Sequence, residues 1–128
     1  LRVATPLFYH TVVFRSKGQA KALAETLVDQ PLLGQFIRQL RVEGRYGAPM
    51  HAIIKCSPNI LDIFLSLDIT SSDNTGDLCK GLHLLNPQCV VLGDVPHPSR
   101  ENRMFSDLFD TLLKVLPKWD RLVRFLVP

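Results

Sequence analysis

Apolar residues recur along this chain in a fixed short form, hydrophobic-x-x-hydrophobic-x-hydrophobic. The five occurrences are Tyr9/Val12/Phe14, Ile37/Leu40/Val42, Ile60/Ile63/Leu65, Pro87/Val90/Leu92 and Leu122/Phe125/Val127. Their middle residues lie 28, 23, 27 and 35 positions apart, close to the period of a solenoid in which each repeat supplies one short strand and one helix. The pattern predicts four or five short parallel strands with helices on one face: an α/β, leucine-rich-repeat-like solenoid fragment joined by right-handed crossovers.

The segments between triplets carry helical signals. Ser16 is placed to cap a helix, with Gln19 completing a capping box and Ala20, Leu23 and Leu27 on one face. Pro31 limits that helix, and Leu32, Leu33 and Phe36 lead into a strand over Gln39 to Glu43. Gly44 and Gly47 make a turn, and Pro49 suits the first turn of a short helix with Met50, Ile53 and Ile54 inward. Asn59 closes that unit before a strand over Asp62 to Leu67. The polar stretch Thr70 to Asn74 offers caps for a helix carrying Leu78, Leu82 and Leu85. Pro87 begins the next strand, Val90 to Leu92, which ends at Gly93, and Pro96 to Ser99 reads as a short linker-like loop. A last helix over roughly Arg100 to Val115 has an apolar arc (Met104, Phe105, Leu108, Phe109, Leu112, Leu113 and Leu116) so wide that it is expected to be the most buried. Trp119, after Pro117, is expected to pack into the base of the last unit.

Strand side chains alternate, so if the triplets face the helices, the intervening residues share the other face. That column is Val13, Arg41, Phe64, Val91 and Leu126. Four of the five are apolar, which is unusual for a sheet face left in water. Thr11, Gln39, Asp62, Cys89 and Arg124 flank it on one side, and Arg15, Glu43 and Ser66 on the other. An apolar stripe within a polar rim has the make-up of an interface. Val13, Arg41, Asp62, Phe64, Val91, Arg124 and Leu126 are therefore the candidate partner-binding residues. The competing reading is a sheet apolar on both sides, covered by another part of the same polypeptide.

Composition narrows the class. The chain of 128 residues, 46% hydrophobic, reads as one domain spanning 1–128 with one core. Leu1 and Pro128 suggest a fragment of a longer polypeptide. The 15 basic and 12 acidic residues are too balanced to imply a polyanion partner. No apolar run approaches the roughly 20 residues of a membrane span, so neither nucleic acid nor membrane is an expected partner. Cys56, Cys79 and Cys89 form no even framework, which favours free thiols and an intracellular setting, cytoplasmic or nuclear.

No catalytic, cofactor or metal set is expected. Cys79 and His83 stand four apart on a helix, but a zinc site needs further ligands at tight spacing. His10, His51, His83 and His97 have no context that marks a base for a cysteine nucleophile. Gly-x-Ser-x-Gly and phosphate-loop patterns are missing. Asp62, Asp68, Asp73, Asp77 and Asp94 read as turn and cap residues, although Asp68 and Asp94 at strand C-terminal ends leave open a small hydrolase-like α/β enzyme. Arg38, Arg41 and Arg45, and Lys114, Lys118, Arg121 and Arg124, read as solvated faces, being interrupted by Glu43 and Asp120 and lacking interleaved aromatics. A processed, self-associating fragment is a third possibility, because open strand edges near Val13 and Val127 favour homo-oligomers.

One resemblance spans essentially the whole chain. Ala4-Thr5-Pro6-Leu7-Phe8-Tyr9-His10-Thr11-Val12-Val13 resembles the end of the F-box helix running into the first strand of mushroom-type fungal F-box/leucine-rich-repeat-like proteins. Ser16-Lys17-Gly18-Gln19-Ala20-Lys21-Ala22-Leu23-Ala24, Leu40-Arg41-Val42-Glu43-Gly44, Tyr46-Gly47-Ala48-Pro49-Met50 and Cys56-Ser57-Pro58-Asn59-Ile60 are similar to that family's repeats, and their order and spacing carry more than any one of them. The resemblance implies the substrate-selecting part of a cullin-type ubiquitin-ligase subunit, a non-catalytic protein-recognition module. The adaptor-gripping F-box helices would precede Leu1, so the resemblance extends only to substrate binding.

Overall fold

A computed structural model describes residues 10–43, 47–67, 69, 74–94 and 103–127, with the helix backbone alone at 103–105. The fold is α/β: one five-stranded sheet, every neighbouring pair parallel, with strands in chain order from edge to edge. The strands are β1 (Thr11–Phe14), β2 (Gln39–Val42), β3 (Asp62–Ser66), β4 (Cys89–Gly93) and β5 (Arg124–Leu126). Between them run the helices α1 (Lys17–Asp29), α2 (Pro49–Lys55), α3 (Gly76–Leu82) and α4 (Arg103–Val115).

The register aligns the triplets. Val12, Leu40, Ile63, Val90 and Phe125 pair in succession across the sheet. Leu40, Val42, Ile63, Leu65, Val90 and Leu92 are buried, together with Leu27, Ile53, Ile54, Leu78, Leu82, Leu108 and Leu112 from the helices. One core thus lies between a row of helices, packed in chain order, and one face of the sheet. Trp119 joins it.

A repeated backbone feature ties the units together. The carbonyls of His10, Arg38, Leu61 and Gln88 each accept two N–H groups from the approach to the next strand, at 2.7–3.1 Å. Each strand is therefore set in register before its ladder begins. The short helices add little hydrogen-bonded length of their own, so packing rather than propensity holds them.

Several boundaries differ from expectation for local reasons. Ser16 Oγ accepts from Gln19 N at 3.2 Å as a cap should, but Gln19 Oε1 reaches back to Arg15 N at 2.7 Å, one residue before the cap. Past Pro31 the chain forms a 3-10 helix, Pro31–Phe36, before β2. The helix at Gly76 stops at Leu82, and Leu85 is buried from the turn beyond it. Asn74 Oδ1 accepts from Gly76 N at 3.0 Å, the one part of the Thr70 to Asn74 loop among the described residues. Tyr9, Arg45, Asp68, Asp73, His97, the Pro96 to Ser99 loop and the Met104 and Phe105 side chains lie outside the described residues.

Three expectations are corrected. The last helix is not the most buried: Leu108, Leu112 and Val115 enter the core, but Phe109 and Leu113 are 41% and 56% exposed. This helix ends the row and, among the described residues, α3 is the α-helix it packs on. Val127 lies past the end of β5 and is exposed, because an edge strand has a neighbour on one side only. Ser66, expected at a polar rim, is 1% exposed. Its register partner is Gly93, and the ring of Phe64 lies over that glycine.

Candidate functional site

The sheet face opposite the helices carries the column Val13, Arg41, Phe64, Val91 and Leu126, paired in register across all five strands. Arg41 and Leu126 are exposed, and Val13, Phe64 and Val91 are half-buried. Two transverse rows of interactions order this face.

The first row holds the arginine and the ring. Arg15 Nε lies 3.1 Å from Glu43 Oε1, and Arg41 Nε lies 3.5 Å from Glu43 Oε2. The Arg15 hydrogen bond is the main reason the Glu43 carboxyl sits below the usual carboxylate range. Arg41 then stacks on Phe64, with Cζ 3.9 Å from the ring centroid. Beyond it the ring occupies the space a side chain at 93 would need: a Cβ on Gly93 would stand 2.4 Å from Phe64 Cζ. Sequence alternation foretells the facing of Phe64 but not this seat, since periodicity carries no information on how an aromatic ring lies along the sheet.

A second row runs near the strand starts. His10 Nδ1 is 3.3 Å from Thr11 Oγ1, which donates to Gln39 Oε1 at 3.0 Å. Gln39 Nε2 in turn donates to Asp62 Oδ2 at 3.1 Å. Cys89 and Arg124 continue this column in register. Between the rows lies a shallow trough of about 380 Å³, lined by Arg41, Asp62, Phe64 and Val91 with Thr11, Gln39 and Cys89.

Four of the seven candidate partner-binding residues, Arg41, Asp62, Phe64 and Val91, therefore meet in one trough. Val13, Leu126 and Arg124 share the face or its flanking column without lining the trough. Gln39, placed by alternation in the flanking column but not among the candidate partner-binding residues, links β1 to β3 by its bonds to Thr11 and Asp62. Polar side chains able to donate and accept at one register position on adjacent strands are the signal for this role.

Elsewhere the reactive groups have ordinary settings. Cys56, Cys79 and Cys89 are free and half-buried. Cys79 Sγ is 3.8 Å from Asp107 O, its thiol pushed up mainly by burial, and His83 is exposed. Among the described residues no three His, Cys, Asp or Glu side chains group as metal ligands. Asp94, at the C-terminal end of β4, is exposed and takes a left-handed backbone conformation with φ 56°. That is a turn geometry Asp tolerates well. No helix among the described residues is long and apolar enough to cross a membrane. Compared with known proteins, the chain matches no family model, no curated protein and no solved structure.

Proposed function

We propose that this chain is a leucine-rich-repeat-like protein-recognition module that binds a segment of a protein partner on the open face of its sheet. In the wider setting that its motifs resemble, the partner is the substrate of an F-box ubiquitin ligase, met inside the cell, and this chain selects it without a catalytic step. The observation that carries the reading is the trough itself: an apolar and aromatic surface that the helices leave uncovered, set between two ordered polar rows.

The physical case rests on preorganisation. Association costs side-chain ordering of roughly 0.5–1.5 kcal/mol for each long side chain immobilised. Glu43 already holds Arg41, and Arg41 with Gly93 already holds Phe64, so those costs are largely met before a partner arrives. Aromatic and arginine residues at the centre of a patch are the types that dominate interface energies. Asp62, fixed by Gln39, supplies a charged acceptor at the rim for register and specificity.

The test compares cellular neighbours of the original chain with those of a double variant, Phe64→Ala with Arg41→Ala, each fused to a proximity-labelling enzyme. The reading expects a discrete set of proteins whose labelling falls at least about tenfold in the variant, the effect of losing 1.4 kcal/mol or more. Identical labelling by two equally stable chains overturns it.

A further inference from the structure

Another concavity lies away from the trough, beside the strand starts, and is polar in character. Its volume is about 200 Å³, and Arg38, Asn86 and Arg121 line it with residues 58–61. This is below the roughly 300–1,000 Å³ of sites for organic cofactors and drug-sized ligands, so an occupant must be small. The cavity lining includes two arginines and no acidic residue.

The amides that shape it are already committed. Asn59 Nδ2 donates to Gln35 O at 3.1 Å, which holds the β3 approach against the β2 approach. Asn86 Nδ2 donates to Asp120 Oδ1 at 2.6 Å, and Asn86 Oδ1 accepts from Arg121 N at 3.3 Å, which ties the β4 and β5 approaches. The asparagines are thus braces, and they also hold the Asp120 carboxylate in a bond of its own. The arginines differ. Arg38 gives one Nη1 bond to Gln35 O, and among the described residues neither Arg38 nor Arg121 takes part in an ion pair. They precede β2 and β5, three strand spacings or about 14 Å apart, and both line the one cavity.

From two arginines outside any ion pair that line one small polar cavity, we infer a binding site for a single phosphate group. Each guanidinium offers a planar fork that matches phosphate oxygens two at a time. A phosphate dianion has enough acceptors for both forks and neutralises both charges, whereas one carboxylate has only two oxygens to share. Because Arg121 is exposed, the bonds are screened by water and salt, and affinity should fall as ionic strength rises. This site is independent of the trough and stands whether or not that face binds a protein.

The experiment is an amide NMR titration of the full chain with inorganic phosphate and, in parallel, with methyl phosphate. Saturable shifts at the Asn59 and Asn86 side-chain amides and at Leu61 N–H are expected. Arg121→Gln should weaken the dissociation constant at least fivefold while leaving the melting temperature unchanged. Lys118→Gln, which removes the same charge from an exposed residue outside the cavity, should change it less than twofold. Methyl phosphate binding as well as phosphate assigns the site to an esterified phosphate, and its exclusion assigns the site to the free ion. Shifts that do not saturate, or that respond equally to Arg121→Gln and Lys118→Gln, overturn the inference.

Discussion

Ile63 and Phe64 are adjacent in the chain and differ in nearly everything else. Ile63 is 2% exposed among the helices, while Phe64 stands on the other face against Arg41 and Gly93. Replacing Ile63 or Leu40 by Ala leaves a cavity that close-packed neighbours fill only in part, at about 2–5 kcal/mol. Phe64→Ala loses a half-solvated ring and one cation–π contact and should cost clearly less, with urea unfolding midpoints giving the order. Gly93→Ala is expected to disturb the face rather than the fold. Its Cβ must displace the far end of the Phe64 ring, so the change should appear in the Phe64 ring proton shifts. The alternation of apolar and polar positions already reveals which side each strand residue takes. It does not reveal the burial of Ser66, which follows from a large ring lying toward a glycine on the next strand, a diagonal relation absent from any single-strand pattern.

At the scale of elements, α1 shows how local chemistry sets a boundary that the apolar pattern only approximates. Ser16→Ala removes the bond to Gln19 N and should lower stability by about 1 kcal/mol, read from thermal melts. Gly34, in the 3-10 helix after α1, is not marked by the apolar pattern. In the fold it lies against the end of α2, where a Cβ would meet the carbonyl oxygen of Cys56 at 1.8 Å. Gly34→Ala forces backbone apart and should cost at least the 1–3 kcal/mol typical of overpacking. The polar row at the strand ends makes a pH prediction. The folded pKa of Glu43 lies below its unfolded value, so its contribution is present above the ordinary glutamate range and is lost as pH falls through that range toward the lower folded pKa. Melting temperatures of the original chain should therefore drop on acidification more than those of Glu43→Gln, by a small margin because both arginines reach solvent. The last helix misleads at sequence level because an apolar arc reports what a helix can bury, not how many neighbours the topology supplies.

For the whole molecule, strand order equal to chain order follows from the spacing of the triplets, and the register matches it column by column. What spacing cannot convey is how side chains from distant units converge. The trough joins β1 to β4, and the Arg38 and Arg121 cavity spans the approaches to β2 and β5. Both are products of bringing 23- to 35-residue units side by side, so no local window contains them. The central claim is that the open face of the sheet, not the helical face, meets a protein partner. The most direct measurement places a photo-crosslinking amino acid at Val91, within the trough, and in a second protein at Val28, exposed on α1. Both are illuminated in living cells, and adducts are identified by mass spectrometry. The account predicts a specific protein adduct from position 91 that disappears when Phe64→Ala is added, and none of that identity from position 28. The same adduct from both positions, or one at 91 that survives Phe64→Ala, contradicts it.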